Sequence, residues 1–283
     1  VPCTRSRAHR DKHMLRTALV TCGLTTASGL NFFDLGRMMP RSIKGFPDGA
    51  KSVADVLDAP DWPKEAPYEP QDFTRQDEAD DNDFYDQPRF CFHVDDAAVA
   101  ALTKHYTTVF REWEKPAILD ICASHVSHFP PDVADYAGRR VALGMNVLEL
   151  SQNKEVTEFV AKDLNEDPTL PFEDNSFDIV TNVVSIDYLT QPLEVCKEVA
   201  RVLKPGGQAM FSLSNRCFPS KAVNVWLKTN DLEHVFVVGS YFHYGGGFKS
   251  PSAIEISPGG VISNGGASQN NAYLTVVKAT VDK

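Results

Sequence analysis

The sequence predicts a doubly wound α/β fold preceded by an irregular N-terminal extension. Three observations carry that expectation. Short apolar runs recur between Ala117 and Leu213, as strands buried on both faces of a parallel sheet do. Stretches with apolar residues three and four apart separate several of them, as amphipathic helices do. The chain closes on two more runs whose connection is too short for a crossover helix, so that pair should be antiparallel.

The N-terminus is basic. Arg5, Arg7, Arg10, Lys12 and Arg16 face only Asp11, the acid-poor, arginine-rich composition of organelle transit peptides. From Leu15 to Leu35 the chain is weakly apolar, but Arg16, Asn31 and Asp34 interrupt it, which argues against a membrane span. Burying one side chain such as Leu19, Leu24 or Phe32 is worth ~1.5–3 kcal/mol. Residues 1–39 are therefore expected to dock on a surface, either of this domain or of a membrane-protein partner. Across residues 40–89, prolines from Pro40 to Pro88 deny any long helix or central strand. Seven acids between Asp72 and Asp86 meet only Arg75, and their spacing does not match a Ca²⁺ loop. The expectation is a solvated, proline-rich acidic linker, with the compact domain at residues 90–283.

From Phe90 onward the elements are regular. Asp95 or Asp96 can cap a helix carrying Val99, Leu102, Tyr106, Val109 and Phe110 on one face. Strand-like runs follow at 117–123, 140–144, 158–162, 177–184 and 208–213. Before the last of these, Pro192 opens a helix with Leu193, Cys196, Val199, Ala200 and Leu203 on one side, and Gly206-Gly207 stops it. A further helix is expected from about Pro219 to Tyr244, halted by Gly245-Gly246-Gly247. The closing strands are 253–257 and 272–277, joined through a Gly/Asn/Ser loop.

Composition narrows the function classes. With 28 basic and 38 acidic residues in 283, the net charge is −10, which argues against a non-specific grip on nucleic acid. The six cysteines form no Cys-x-x-Cys pair, so neither the common zinc spacings nor a secreted disulfide framework is present. A reducing compartment is expected, and no metal. No Gly-x-Gly-x-x-Gly follows any strand, which removes the dehydrogenase reading.

Two phrases then carry a resemblance. Leu170-Pro-Phe-Glu-Asp-Asn-Ser-Phe-Asp-Ile-Val180, followed by Glu198-Val-Ala-Arg-Val-Leu-Lys-Pro-Gly-Gly207, resembles class I S-adenosylmethionine-dependent methyltransferases of the type 11-like, small-molecule kind. The likeness runs from about Phe90 to Val277. Ser214-Asn-Arg-Cys-Phe218 and Tyr241-Phe-His-Tyr-Gly245 resemble a narrower set of plant and algal methyltransferase-like proteins. The resemblance implies a seven-stranded Rossmann-like sheet, with S-adenosylmethionine across the carboxyl ends of the first strands. It implies that Asp120 is the first-strand acid orienting the loop behind it. It also implies that Asp163 meets the adenine amino group, with the backbone of Leu164 beside it. Cys122, Ser124, Asn146 and Ser185 complete the implied cofactor contacts, and Phe172 and Phe177 read as core.

The chain departs from the family pattern twice. Where a Gly-x-Gly-x-Gly loop is usual, it has Cys122-Ala-Ser-His-Val126, losing residues that admit positive φ and close backbone approach. Where an acid usually holds the ribose it has Asn146, and a neutral amide bonds less strongly than a carboxylate. Methyl transfer asks mainly for alignment, plus a base if the acceptor carries a proton. His125, His128, Asp187 and His243 are candidate bases, with Tyr188 beside Asp187, and none stands out as catalytic. Two function classes follow. One is a methyltransferase acting on a small molecule. The other is the same fold without its chemistry: a chloroplast assembly or auxiliary factor on the stromal side, docked through residues 1–39 on a thylakoid photosystem complex.

Overall fold

The computed structural model describes residues 43–258 and 273–283. The expected thylakoid docking segment at residues 1–39 lies outside the described residues, as does most of the Gly/Asn/Ser loop between the last two strands. Among the described residues no helix is long and apolar enough to cross a membrane.

Seven strands form one sheet: β1 (Ile118–Ile121), β2 (Arg140–Gly144), β3 (Glu158–Ala161), β4 (Phe177–Val183), β5 (Leu203–Leu213), β6 (Ser252–Glu255) and β7 (Thr275–Thr280). Their order is β3-β2-β1-β4-β5-β7-β6. The first five are parallel, and β7 runs antiparallel between β5 and β6, as expected of the closing pair. Neighbouring residues point to opposite faces. Leu119, Val180 and Val277 join one buried cluster with α6 (Pro192–Val202) and α8 (Asp231–Gly245). Ile118, Ile179 and Val276 join a second cluster with α3 (Asp96–Phe110), through Leu102, Tyr106 and Phe110.

The local signals act largely as expected. The Asp95 carboxylate accepts from the Ala98 N–H at 3.0 Å and caps α3, and Pro192 stands in the first turn of α6. The helix expected over 219–244 is instead two: α7 (Asn224–Leu227) and α8. Asn230 divides them, because its side chain accepts from the N–H groups of Leu232 and Glu233 while Glu233 accepts from the Asn230 N–H at 2.8 Å. That reciprocal pair starts a new helix.

The solvated-linker expectation does not hold. Prolines do keep the elements short: α1 (Val53–Asp58), a single turn of 3-10 helix at Pro70–Phe73, and α2 (Asp81–Tyr85). Yet Val53, Val56 and Leu57 are buried in the first cluster. Leu57 packs so closely on α8 that a Cβ at Gly239 would stand 2.5 Å from it. Trp62 stacks on Phe236 with ring centroids 4.8 Å apart, and the Tyr68 and Ser240 hydroxyls are 2.5 Å apart. The acidic run is not all solvated either, since Asp72 and Asp81 are buried. The compact body begins by Ile43, not at Phe90.

Candidate active site

The carboxyl ends of β1 to β4 bring together the loops that the sequence marked. Asp120 is buried in β1, opposite Thr181 of β4 in register. The Thr181 hydroxyl donates to it at 2.7 Å. Burial pushes Asp120 up to about 7, with bonds from Ser127 and Thr181 opposing the shift. Through Ser127 this acid reaches the loop behind β1.

That loop solves its lack of glycine by other means. Cys122 itself takes the left-handed conformation, at φ 55, as does His128 at φ 58, while Val126 does not. The close approach falls on Gly144 of β2, where a Cβ would stand 2.0 Å from the Ala123 carbonyl oxygen. Side chains hold the rest. The Ser124 hydroxyl donates to Glu149 at 2.6 Å, and Asn153 donates to the Ser124 carbonyl and the Ser127 hydroxyl at 3.2 and 2.9 Å. Glu155 accepts from the N–H groups of Ser127 and Phe129 at 2.7 and 3.3 Å.

Asp163 and Leu164 follow β3 as expected. Asp163 accepts from the Asn165 N–H at 2.7 Å and lines an open cleft of about 460 Å³ with Asn82, Met145, Lys162 and Asp167. The cleft is of a size that suits part of a nucleoside-like ligand. Asn146 is engaged otherwise. Its side-chain oxygen accepts from the Glu149 N–H at 3.0 Å, capping α5 (Val147–Gln152). Its amide donates to the carbonyls of Tyr85 and Asp86 at 2.7 and 3.0 Å. In this conformation neither end of that amide is free for ribose. Ser185 turns inward, donating to the Val183 carbonyl at 2.7 Å.

Of the candidate bases, Asp187 and His128 are buried. Desolvation pushes Asp187 up to about 8, and one of its carboxyl oxygens has no hydrogen-bond partner. Tyr188 beside it accepts from the Phe218 N–H at 2.9 Å. His128 is buried and held down to about 4 by desolvation, and His125 lies against Phe90 and Phe92. His243 stacks on Trp62 in the last turn of α8, on the face of the sheet and not in the strand-end loops. Among the described residues no group of three or more His, Cys, Asp or Glu is placed to hold a metal ion.

These buried groups set a pH dependence. Asp120 and Asp187 hold their protons in the folded chain up to about 7 and about 8, against an ordinary 3.8, so the stability they lend is lost as pH rises through those values. His128 and His234, held down to about 4 by desolvation against an ordinary 6.5, act oppositely: their contribution is complete above 6.5 and lost as pH falls. The pairs offset one another below 6.5, so stability should fall between pH 6.5 and 8.5, by about 2 kcal/mol from Asp187. Urea midpoints at those two pH values should show the decline, and Asp187→Asn should flatten it.

Sequence reasoning missed what lies over these loops. Residues 75–93 run along the strand ends and touch them in turn. The Asp77 N–H donates to the Ser220 carbonyl behind β5 at 2.8 Å. Asp81 accepts two bonds from Arg75 at 2.8 and 2.7 Å, meets Lys221 at 3.0 Å, and accepts from the Asn165 side chain at 2.8 Å. Beyond the Asn146 bonds, the Arg89 N–H donates to Glu149 at 2.6 Å. Burial pushes the Tyr85 phenol well above its ordinary range, with Asp81, Asp187 and Cys122 close enough to reinforce the shift. The only local hint was Asn146-x-x-Glu149, a capping spacing.

A family model described as a methyltransferase domain matches residues 132–211. Over 66 residues the chain is 35% identical to a malonyl-acyl-carrier-protein O-methyltransferase of Marinomonas, covering 23% of this chain and 24% of that protein. Over 83 residues it is 36% identical to a ubiquinone/menaquinone biosynthesis C-methyltransferase of Ruegeria, covering 29% and 32%. The chain thus spans about a quarter to a third of the length of these relatives. Among solved structures, a Haemonchus contortus phosphoethanolamine N-methyltransferase 2 with S-adenosyl-L-methionine aligns at TM-score 0.45 and 14% identity, over 64% of this chain and 53% of that one. Residues 132–211 are thus similar to a methyltransferase domain, and they lie within the seven-stranded sheet described above.

Proposed function

We propose that the protein is an S-adenosylmethionine-dependent methyltransferase that acts on a small molecule. The observation that supports this reading is Asp163, which follows β3 and lines the open cleft, and to which the resemblance gives the adenine-facing role. The other residues fit the cofactor in part. Asp163 and the Leu164 backbone would hold the adenine, and Asp120 would act through Ser127 to set the loop beside the methionine half. The ribose position fits only once Asn146 is freed from Tyr85 and Asp86.

The cofactor supplies a methyl group on a sulfonium, already a strong electrophile, so the protein's share is alignment and exclusion of water. Where the acceptor must lose a proton, Asp187 at the β4 end can take it only in its ionised form, above about pH 8. The two curated relatives carry different acceptors in their names, so no acceptor follows from them.

Calorimetric titration of the full chain with S-adenosylhomocysteine tests this reading. Binding should be measurable, and Asp163→Ala should weaken it by about tenfold, the ~1.4 kcal/mol of one or two hydrogen bonds. Absence of heat at millimolar ligand would remove the enzyme reading. The fold without chemistry would then be favoured.

A further inference from the structure

We propose that residues 75–93 are a self-docked strap that closes the cofactor groove, anchored at one end and released at the other when the cofactor enters. The inference rests on the cofactor reading above. It starts from where the strap lies: its contacts fall in order on the loops behind β5, β3, β2 and β1, the strand ends across which the cofactor is expected.

The anchored end is the Asp81 cluster. Lys221 has no exposed side-chain surface, and the side chains of Asp81 and Arg75 are 3% and 7% exposed. Parting these charges would leave buried ions unpaired, so this end stays. Lys221 also donates to the Ala79 carbonyl at 2.7 Å, which fixes the chain just before α2.

The releasable end begins at Tyr85. Its ring packs edge-on against Phe84, whose own ring meets Phe218 behind β5. Its carbonyl and that of Asp86 take both protons of the Asn146 amide, at the ribose position. Beyond it the strap is lightly held. Phe90 and Phe92 are 56% and 49% exposed, and the rings they meet are those of His125 and His128. Among the described residues, the Arg89 N–H bond to the Glu149 carboxylate is the one charge-assisted bond from this stretch to the loops, and the neutral bonds are exchanged for water at little net cost. Residues 84–93 can therefore lift while residues 75–81 remain.

A closed strap reduces apparent affinity by the fraction of molecules that are open. Asn146→Asp keeps a good helix cap but replaces the amide donors with a carboxylate facing two carbonyls, and Tyr85→Ala removes the ring that packs on Phe84. Calorimetric titration of the full chain with S-adenosylhomocysteine should show both variants binding tighter than the unaltered protein, on the order of tenfold or more. Amide exchange of residues 84–93 should speed up when the ligand is added to the unaltered chain. Equal affinity in all three proteins, with no change in that exchange, would overturn the strap while leaving the cofactor reading intact. Should Tyr85→Ala fail to fold, the exchange of residues 84–93 in the unaltered chain decides, because a carboxylate at position 146 would also tighten binding through the ribose: faster exchange on ligand addition supports the strap, and unchanged exchange overturns it. No binding by any of them would overturn the cofactor reading and the strap with it.

Discussion

Replacing Gly144 with alanine should cost about 3 kcal/mol or more of folding stability, at the upper end of overpacking effects. The added Cβ would stand 2.0 Å from the Ala123 carbonyl oxygen, which is backbone and not a side chain that can swing aside. Retreat is barred on the other side too, because the Ala123 N–H donates to the Leu143 carbonyl at 2.8 Å. Either the β1 loop leaves β2 or the strand end parts. Denaturant unfolding should show the loss as a lower midpoint. A midpoint equal to that of the unaltered protein would mean that the loop is not seated on β2.

Asp81→Ala should cost about 3–5 kcal/mol, the range for removing one partner from a buried ion pair. As ion partners among the described residues, it leaves to the Arg75 guanidinium only the exposed Glu78 at 3.5 Å, and to the Lys221 ammonium only the partly exposed Asp77 at 3.4 Å. Asp77→Ala should change stability far less, because a solvated pair contributes little. The triple change Arg75→Leu, Asp81→Leu and Lys221→Met should recover most of the loss, since apolar groups of similar volume can replace a buried ion cluster. Thermal unfolding of the three variants checks the ranking. A small effect of Asp81→Ala would show that the cluster is open to water.

The sheet was legible because parallel strands buried on both faces leave flat apolar runs, as in Ile118–Ile121 and Phe177–Val183. The strand-end acids were legible for the same reason: once a run is located, Asp120 lies within it and Asp163 follows the next but one. The helix break at Asn230 was present as Asn-x-x-Glu, but the apolar residues on both sides concealed it. The conformation of the β1 loop was not legible from its lack of glycine. Side chains take the place of glycines there, and Cys122 adopts φ 55 without being glycine.

The strap was not legible for a different reason. Proline and aspartate in residues 60–90 look alike whether solvated or packed, since what decides is the partner. Lys221 stands 140 positions from Asp81, Asn165 stands 84 and Asn146 stands 61 from Tyr85. No window along the chain contains both halves of any of these pairs. The acidic run met one local cation in the sequence, and the second arrives only when the loop behind β5 folds over the strand ends.

The most direct measurement is an amide-exchange footprint of the full chain with and without S-adenosylhomocysteine. If the cofactor binds across the strand ends, exchange should slow at Cys122–Ser127 and at Leu164 and Asn165, while the far face of the sheet around Tyr106 and Phe110 stays unchanged. An unchanged pattern at millimolar ligand, or protection confined to surfaces away from these two loops, would contradict cofactor binding at this site.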